Sequence, residues 1–216
     1  QASPGSVEDM ADFCHAELAR QGIAGPCRVL AMSLGAMVAV AWAQRHPQDL
    51  AAAVLINTSL RPFSPLTERL RPANYPRLLR LLALPVSERE TEAAILCMTT
   101  RLVADPDAVI AQWLQWRREN PVSRQNALRQ LMAAARYRAP LAAPLERLLL
   151  LASERDGLVD TNCTRRLALR WGAPLKVHPT AGHDLVLDDA AWVLAQLRLW
   201  QEAAGGRLES VSGGVR

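Results

Sequence analysis

The chain has 216 residues, half of them hydrophobic, with 25 Lys and Arg against 21 Asp and Glu and a net charge of +4. That length and apolar share suffice for one domain with a substantial core and exclude a disordered or fibrous chain. The positive charge is almost all arginine, with Lys176 the only lysine, and it is dispersed over the chain with no aromatic interleaving. No basic stripe or known motif therefore supports nucleic-acid binding.

The four cysteines, Cys14, Cys27, Cys97 and Cys163, are scattered without Cys-x-x-Cys spacing. This argues against a zinc site or a disulfide framework and fits a reducing compartment, so a cytoplasmic location is expected. The longest uncharged apolar run, Val29 to Ala43, is shorter than a membrane span. The opening Gln1-Ala2-Ser3-Pro4-Gly5 leads into acidic residues, unlike a signal peptide, and lacks an initiator Met, as expected of a fragment or a processed product.

In chain order, Ser6 to Gln21 reads as a helix capped by Ser6, with Glu8 and Asp9 in its first turn and Gly22 and Gly25-Pro26 ending it. Cys27 to Met32 reads as a short buried strand, Leu34 to Arg45 as an Ala-rich helix stopped by His46-Pro47, and Leu50 to Asn57 as a second apolar strand. Helices and strands in alternation with tight turns predict an α/β fold, a mostly parallel sheet covered on both faces. From about Ser59 to Pro144 no strand-like run recurs. Amphipathic helices are predicted at Pro76–Leu84, Ser87–Ala104, Pro106–Glu119 and Val122–Arg138. This stretch, 61–144, is expected to be a helical cap or lid inserted into a core formed by 1–60 and 145–204. Trp113 and Trp116 within it are read as lid packing or as the roof of a substrate pocket, and Met32 as a further pocket residue. The alternation resumes with strand Arg147–Ala152, helix Thr161–Trp171, strand Pro174–His178 and a last helix Leu187–Ala204. The polar residues 205–216 read as a frayed tail.

One serine sits where the first strand meets its helix, in Ala31-Met32-Ser33-Leu34-Gly35. Small residues two positions either side of a serine permit a turn so sharp that the hydroxyl is pushed out of the sheet, with the helix N-terminus aimed at it. The plainer alternative is a serine that caps the helix. Two later loops favour the first reading. Asp156 follows the third strand and His183 follows the fourth, and in a parallel sheet the loops after the strand C-termini converge on one edge. A serine needs a base to take its proton, and the base needs an acid to hold its tautomer. Glu154 and Asp160 are the rival acids, Asp160 being better explained as a helix cap. His15, His46 and His178 lie on or at the ends of helices and strands and read as structural or surface residues.

The order Ser…Asp…His, each after a strand, resembles the α/β-hydrolase superfamily. Val-Leu-Ala-Met-Ser-Leu-Gly-Ala-Met resembles its nucleophile segment, Leu-Leu-Ala-Ser-Glu-Arg-Asp-Gly its acid segment and Ala-Gly-His-Asp its histidine segment. At the superfamily level the chain is loosely similar to pimeloyl-ACP methyl ester carboxylesterase-type bacterial hydrolases. The resemblance implies nucleophile Ser33, acid Asp156, base His183 and the Leu34 backbone N–H as one oxyanion donor. It implies a small-molecule ester or acyl-thioester with an apolar acyl or aryl group as substrate, and no metal or organic cofactor. The same fold and triad serve C–C hydrolases, haloperoxidases, acyltransferases and catalytically silent binding modules. The family's N-terminal strands are not legible in this sequence, so a half-built oxyanion hole and an exposed sheet edge prone to association, as in a homodimer, are expected.

Overall fold

A computed structural model gives the structure of the protein and describes residues 3–203. Four parallel strands, β1 (Cys27–Met32), β2 (Leu50–Ile56), β3 (Leu148–Ser153) and β4 (Leu175–His178), lie in the order β1-β2-β3-β4. The two central strands are buried at almost every position. Their alternate residues feed two cores. Ala53, Leu55, Leu148 and Leu150 pack on one face, beneath α1 (Val7–Arg20), α2 (Leu34–Arg45) and α8 (Thr161–Trp171). Val54, Ile56, Leu149 and Leu151 pack on the other, against Leu185 of α9 (Leu185–Asp188) and Val193 of α10 (Ala190–Ala203). Strands buried on both faces are apolar throughout, as the leucine run of β3 shows.

Three helix boundaries show a local cause. The Ser6 side chain accepts the Asp9 N–H and caps α1, and the Asp160 side chain accepts the Asn162 N–H and caps α8. Gly172, in the left-handed region at φ 62°, ends α8. The expected single last helix is two, because the Asp189 backbone leaves the helical region and its side chain caps α10 by accepting the Trp192 N–H.

A polar cluster fastens α1 to the end of α2. Arg45 donates two hydrogen bonds to Asp12, at 2.8 and 2.6 Å, and His46 meets the same carboxylate at 2.8 Å. The Asp49 carboxylate pairs with His15 and accepts from the Trp42 indole, both at 2.7 Å, and the two imidazoles stack 3.9 Å apart.

Between β2 and β3 the chain is helical: α3 (Leu66–Arg69), α4 (Tyr75–Ala83), α5 (Glu88–Thr99), α6 (Pro106–Glu119) and α7 (Arg124–Arg136). Helix α5 stops five residues short of the expected Ala104. Its Thr99 carbonyl accepts the Asp184 N–H instead of continuing the helix. Among the described residues no helix is long and apolar enough to cross a membrane.

Candidate active site

Ser33 lies at the C-terminal end of β1, and its N–H donates to the Ile56 carbonyl at the end of β2. Its φ and ψ are 52° and −116°, a conformation that costs a side-chain-bearing residue of order 1–3 kcal/mol. The side chain does not cap α2, so the plain capping account fails. The strain comes from turning directly from a strand bonded to β2 into a helix that starts at the next residue. Leu34 is that first residue, and its N–H is one of the helix's free donors. One sequence expectation is corrected here. A Cβ at Gly35 would meet nothing within 4 Å, so that position is open and no close contact requires the glycine.

Asp156 and His183 form a buried pair. The His183 Nδ1 lies 2.7 Å from Asp156 Oδ2, and the two residues are only 3 % and 4 % exposed. The second carboxylate oxygen, Oδ1, accepts the N–H groups of Leu158 and Val159 at 2.8 and 2.9 Å. With Asp156 thus acceptor-only, His183 donates from Nδ1 and keeps Nε2 free as an acceptor. The other acids of the loop are engaged elsewhere: Glu154 pairs with Arg165, and Asp160 caps α8. The remaining histidines are tied down as well. His15 and His46 belong to the α1–α2 cluster, and the buried His178 accepts the Thr180 and Ala181 N–H groups on Nδ1.

Ser33, Asp156 and His183 follow β1, β3 and β4 and so share the C-terminal edge of the sheet. No hydrogen bond joins the Ser33 hydroxyl to His183 among the described residues.

Asn57, which sequence reasoning passed over, holds the histidine loop, together with the expected loop contact of an acid after His183. Asn57, buried at the end of β2 with φ 46°, donates from Nδ2 to the carbonyls of Gly182 and His183 and to Ser153 Oγ. Its Oδ1 accepts the Ser153 N–H. One amide thus ties β2 to the end of β3 and to the loop after β4. Asp188 accepts from the backbone N–H groups of Gly182, Arg101 and Leu102 and so joins that loop to the segment after α5. Burial pushes the Asp184 carboxyl above the usual carboxylate range. Gly182 is required by contact, since a Cβ there would lie 2.7 Å from the Thr99 carbonyl oxygen. The available signal was an Asn at a strand terminus, a residue type that tolerates the left-handed region.

A cavity of about 670 Å³ opens beside Ser33 and Leu34. Leu66 of α3, Leu78 and Leu82 of α4 and Leu131 of α7 line it, and so does Arg69. Trp113 and Trp116 do not. They line a separate cavity of about 350 Å³ with the ion pair of buried Glu92 and half-buried Arg117, where α5 packs on α6. Met32 is likewise absent from the Ser33 cavity and packs beside Val54 and Ile56, because strand alternation turns it to the other face.

The sequence profile of the family described as serine aminopeptidase, S33, matches residues 4–190. The chain belongs to this α/β-hydrolase family. Solved structures agree on the fold. A thermophilic esterase from Thermogutta terrifontis matches with a TM-score of 0.70 at 20% identity, covering 94% of this chain and 74% of that one. The meta-cleavage product hydrolase from Pseudomonas fluorescens IP01 matches at 0.68 and 16%, covering 92% and 72%. A membrane phospholipase A, described as a bacterial virulence factor, matches at 0.74 and 18%, covering 96% and 66%. No curated protein sequence matches the chain.

Proposed function

We propose that this α/β-hydrolase cleaves a carboxylic ester or thioester with an apolar acyl or aryl group, using Ser33 as nucleophile, His183 as base and Asp156 as the acid that orients it. The observation that carries the reading is the buried His183–Asp156 pair on the sheet edge that bears the strained Ser33. In this reading the Ser33 Oγ–carbonyl carbon bond forms as the hydroxyl proton passes to His183 Nε2. The oxyanion takes the Leu34 N–H, a free donor at a helix N-terminus. The carbonyl then re-forms, and the alcohol or thiol departs with the proton from His183. Water, deprotonated by the same imidazole, attacks the acyl-enzyme and frees Ser33. Asp156 stays ionised throughout and steadies the imidazolium. The serine–histidine contact is one that tightens when substrate fills the site. The helices from α3 to α7 act as the lid, supplying an apolar chamber that fits a hydrocarbon acyl group better than a polar one.

The test is fluorophosphonate labelling together with turnover of p-nitrophenyl esters of graded chain length. Wild-type protein is expected to label and to hydrolyse the esters, and Ser33→Ala to do neither. Folded wild-type protein that takes up no label would sink the reading in favour of a silent binding module. Labelling without ester turnover would move the reaction to C–C cleavage or acyl transfer.

A further inference from the structure

The Ser33 cavity is lined mostly by apolar side chains, with Ser33, Ser59, Tyr75, Gln130 and Arg69 its polar residues. Arg69, with Leu66 and Ala135, also lines an adjoining cavity of about 470 Å³ whose other polar residues are Arg61 and Ser64. No Asp or Glu lines either chamber. Arg69 is only 8 % exposed, and no carboxylate pairs with it among the described residues. Glu68, its neighbour in sequence, pairs with Arg166. The Arg69 guanidinium donates to the carbonyls of Ala134 at 2.6 Å and Ala135 at 3.4 Å, the orphan acceptors at the end of α7. That leaves Nε without a partner and the positive charge against the partial negative end of a helix dipole, with no carboxylate beside it. Burial pulls the guanidinium below its usual range, with Cys163 opposing this and the like charge of Arg61 adding to it. A buried cation without a counter-charge is costly, and an anion that completes it is correspondingly favoured. A helix-capping role alone needs neither the second arginine nor the absence of acids from both chambers.

We propose that the ligand of the Ser33 cavity is amphiphilic, with an apolar body against Leu78, Leu82 and Leu131 and an anionic oxygen group, carboxylate or phosphate, received by Arg69 and Arg61. This rests on the reading of the Ser33 cavity as the substrate site, and it narrows the substrate class to esters that carry a remote anionic group. Planar guanidinium forks match both oxyanions, and charge-assisted hydrogen bonds discriminate strongly against a neutral group.

The experiment uses the full chain carrying Ser33→Ala, so that binding is read without turnover. Isothermal titration compares octanoate and octyl phosphate with neutral octanamide. At least one anion is expected to bind about tenfold or more tighter than octanamide, and the tighter of the two identifies the group. Arg69→Met and, separately, Arg61→Gln are each expected to reduce that preference, while Arg69→Lys retains part of it. Arg61→Gln leaves the α7 carbonyl contacts in place, so it remains informative if Arg69→Met does not fold. Equal binding of octanamide and both anions, no binding of either anion, or a preference unchanged in Arg61→Gln and Arg69→Lys would overturn the proposal. A failure of the hydrolase reading shows separately, as wild-type protein that neither labels with fluorophosphonate nor turns over esters.

Discussion

At the residue scale, the site depends as much on what holds His183 as on His183 itself. Asn57 satisfies two carbonyls of the histidine loop and the Ser153 backbone with one buried amide. Asn57→Ala strands these groups away from water, at about 1–3 kcal/mol for each one left unpaired. The expected outcome is a large fall in kcat with KM for a short ester little changed, because the imidazole is misplaced while the cavity near Ser33 is intact. Steady-state kinetics reads this split, and a parallel rise in KM with constant kcat would show that Asn57 serves the cavity instead. Gly182→Ala tests the same loop by contact. Its Cβ would press on the Thr99 carbonyl at 2.7 Å, and overpacking against backbone costs about 1–3 kcal/mol. Both activity and the melting temperature should fall, and a variant with wild-type melting and kcat would show that the loop has room. Asp156→Asn keeps the size of the side chain but loses the ionised acceptor. The expected loss in kcat is about 10⁴, the scale for an orienting acid whose histidine then takes the wrong tautomer.

At the element scale, the α1–α2 fastening makes a prediction about acid. The hydrogen bond from Arg45, then that from His46, hold the Asp12 carboxyl well below the usual carboxylate range. Asp49 is also held low: burial opposes this, but the Trp42 and His15 hydrogen bonds outweigh it. A carboxylate with a depressed folded-state pKa adds stability above its unfolded value of about 3.9, and that stability is lost as pH falls through the folded value. The denaturant midpoint is therefore expected to decline as pH drops below about 4. In Asp49→Asn, part of that decline should disappear and the neutral-pH midpoint should be lower. Chemical denaturation followed by tryptophan fluorescence checks it, with Trp42 itself bonded to Asp49 as the reporter. A decline of equal size in wild type and Asp49→Asn would place the acid sensitivity elsewhere in the chain.

At the scale of the whole molecule, the order of elements explains what could be read in advance. The strands and the flanking helices were legible because each answers to a local rule: apolar runs bounded by turns, Ser6 and Asp160 as caps, Pro and Gly as stops. The shared sheet edge of Ser33, Asp156 and His183 was legible because each follows a strand. The role of Asn57 was not, since its partners are brought together only by the parallel stacking of β2, β3 and β4. Of the two readings of Trp113 and Trp116, packing within the lid agrees with the structure and the roof of the Ser33 cavity does not, since helical spacing marks an apolar stripe without saying which cavity it faces. The same stacking leaves one feature of the sheet open. Among the described residues β1 pairs only with β2, so the N–H and C=O groups on its outer side are unpaired, and Leu30 on this strand is 49% exposed. An edge of that kind templates pairing with another strand unless a charge or bulge blunts it. Described residues 3–203 thus present a surface for a further strand, and the protein is expected to self-associate as its concentration rises. Leu30→Lys places a charge on the edge and is expected to weaken the association, while the buried β2 and β3 keep the fold. Sedimentation velocity over a concentration series measures this. Sedimentation independent of concentration, identical in wild type and Leu30→Lys, would mean that the edge is covered in solution.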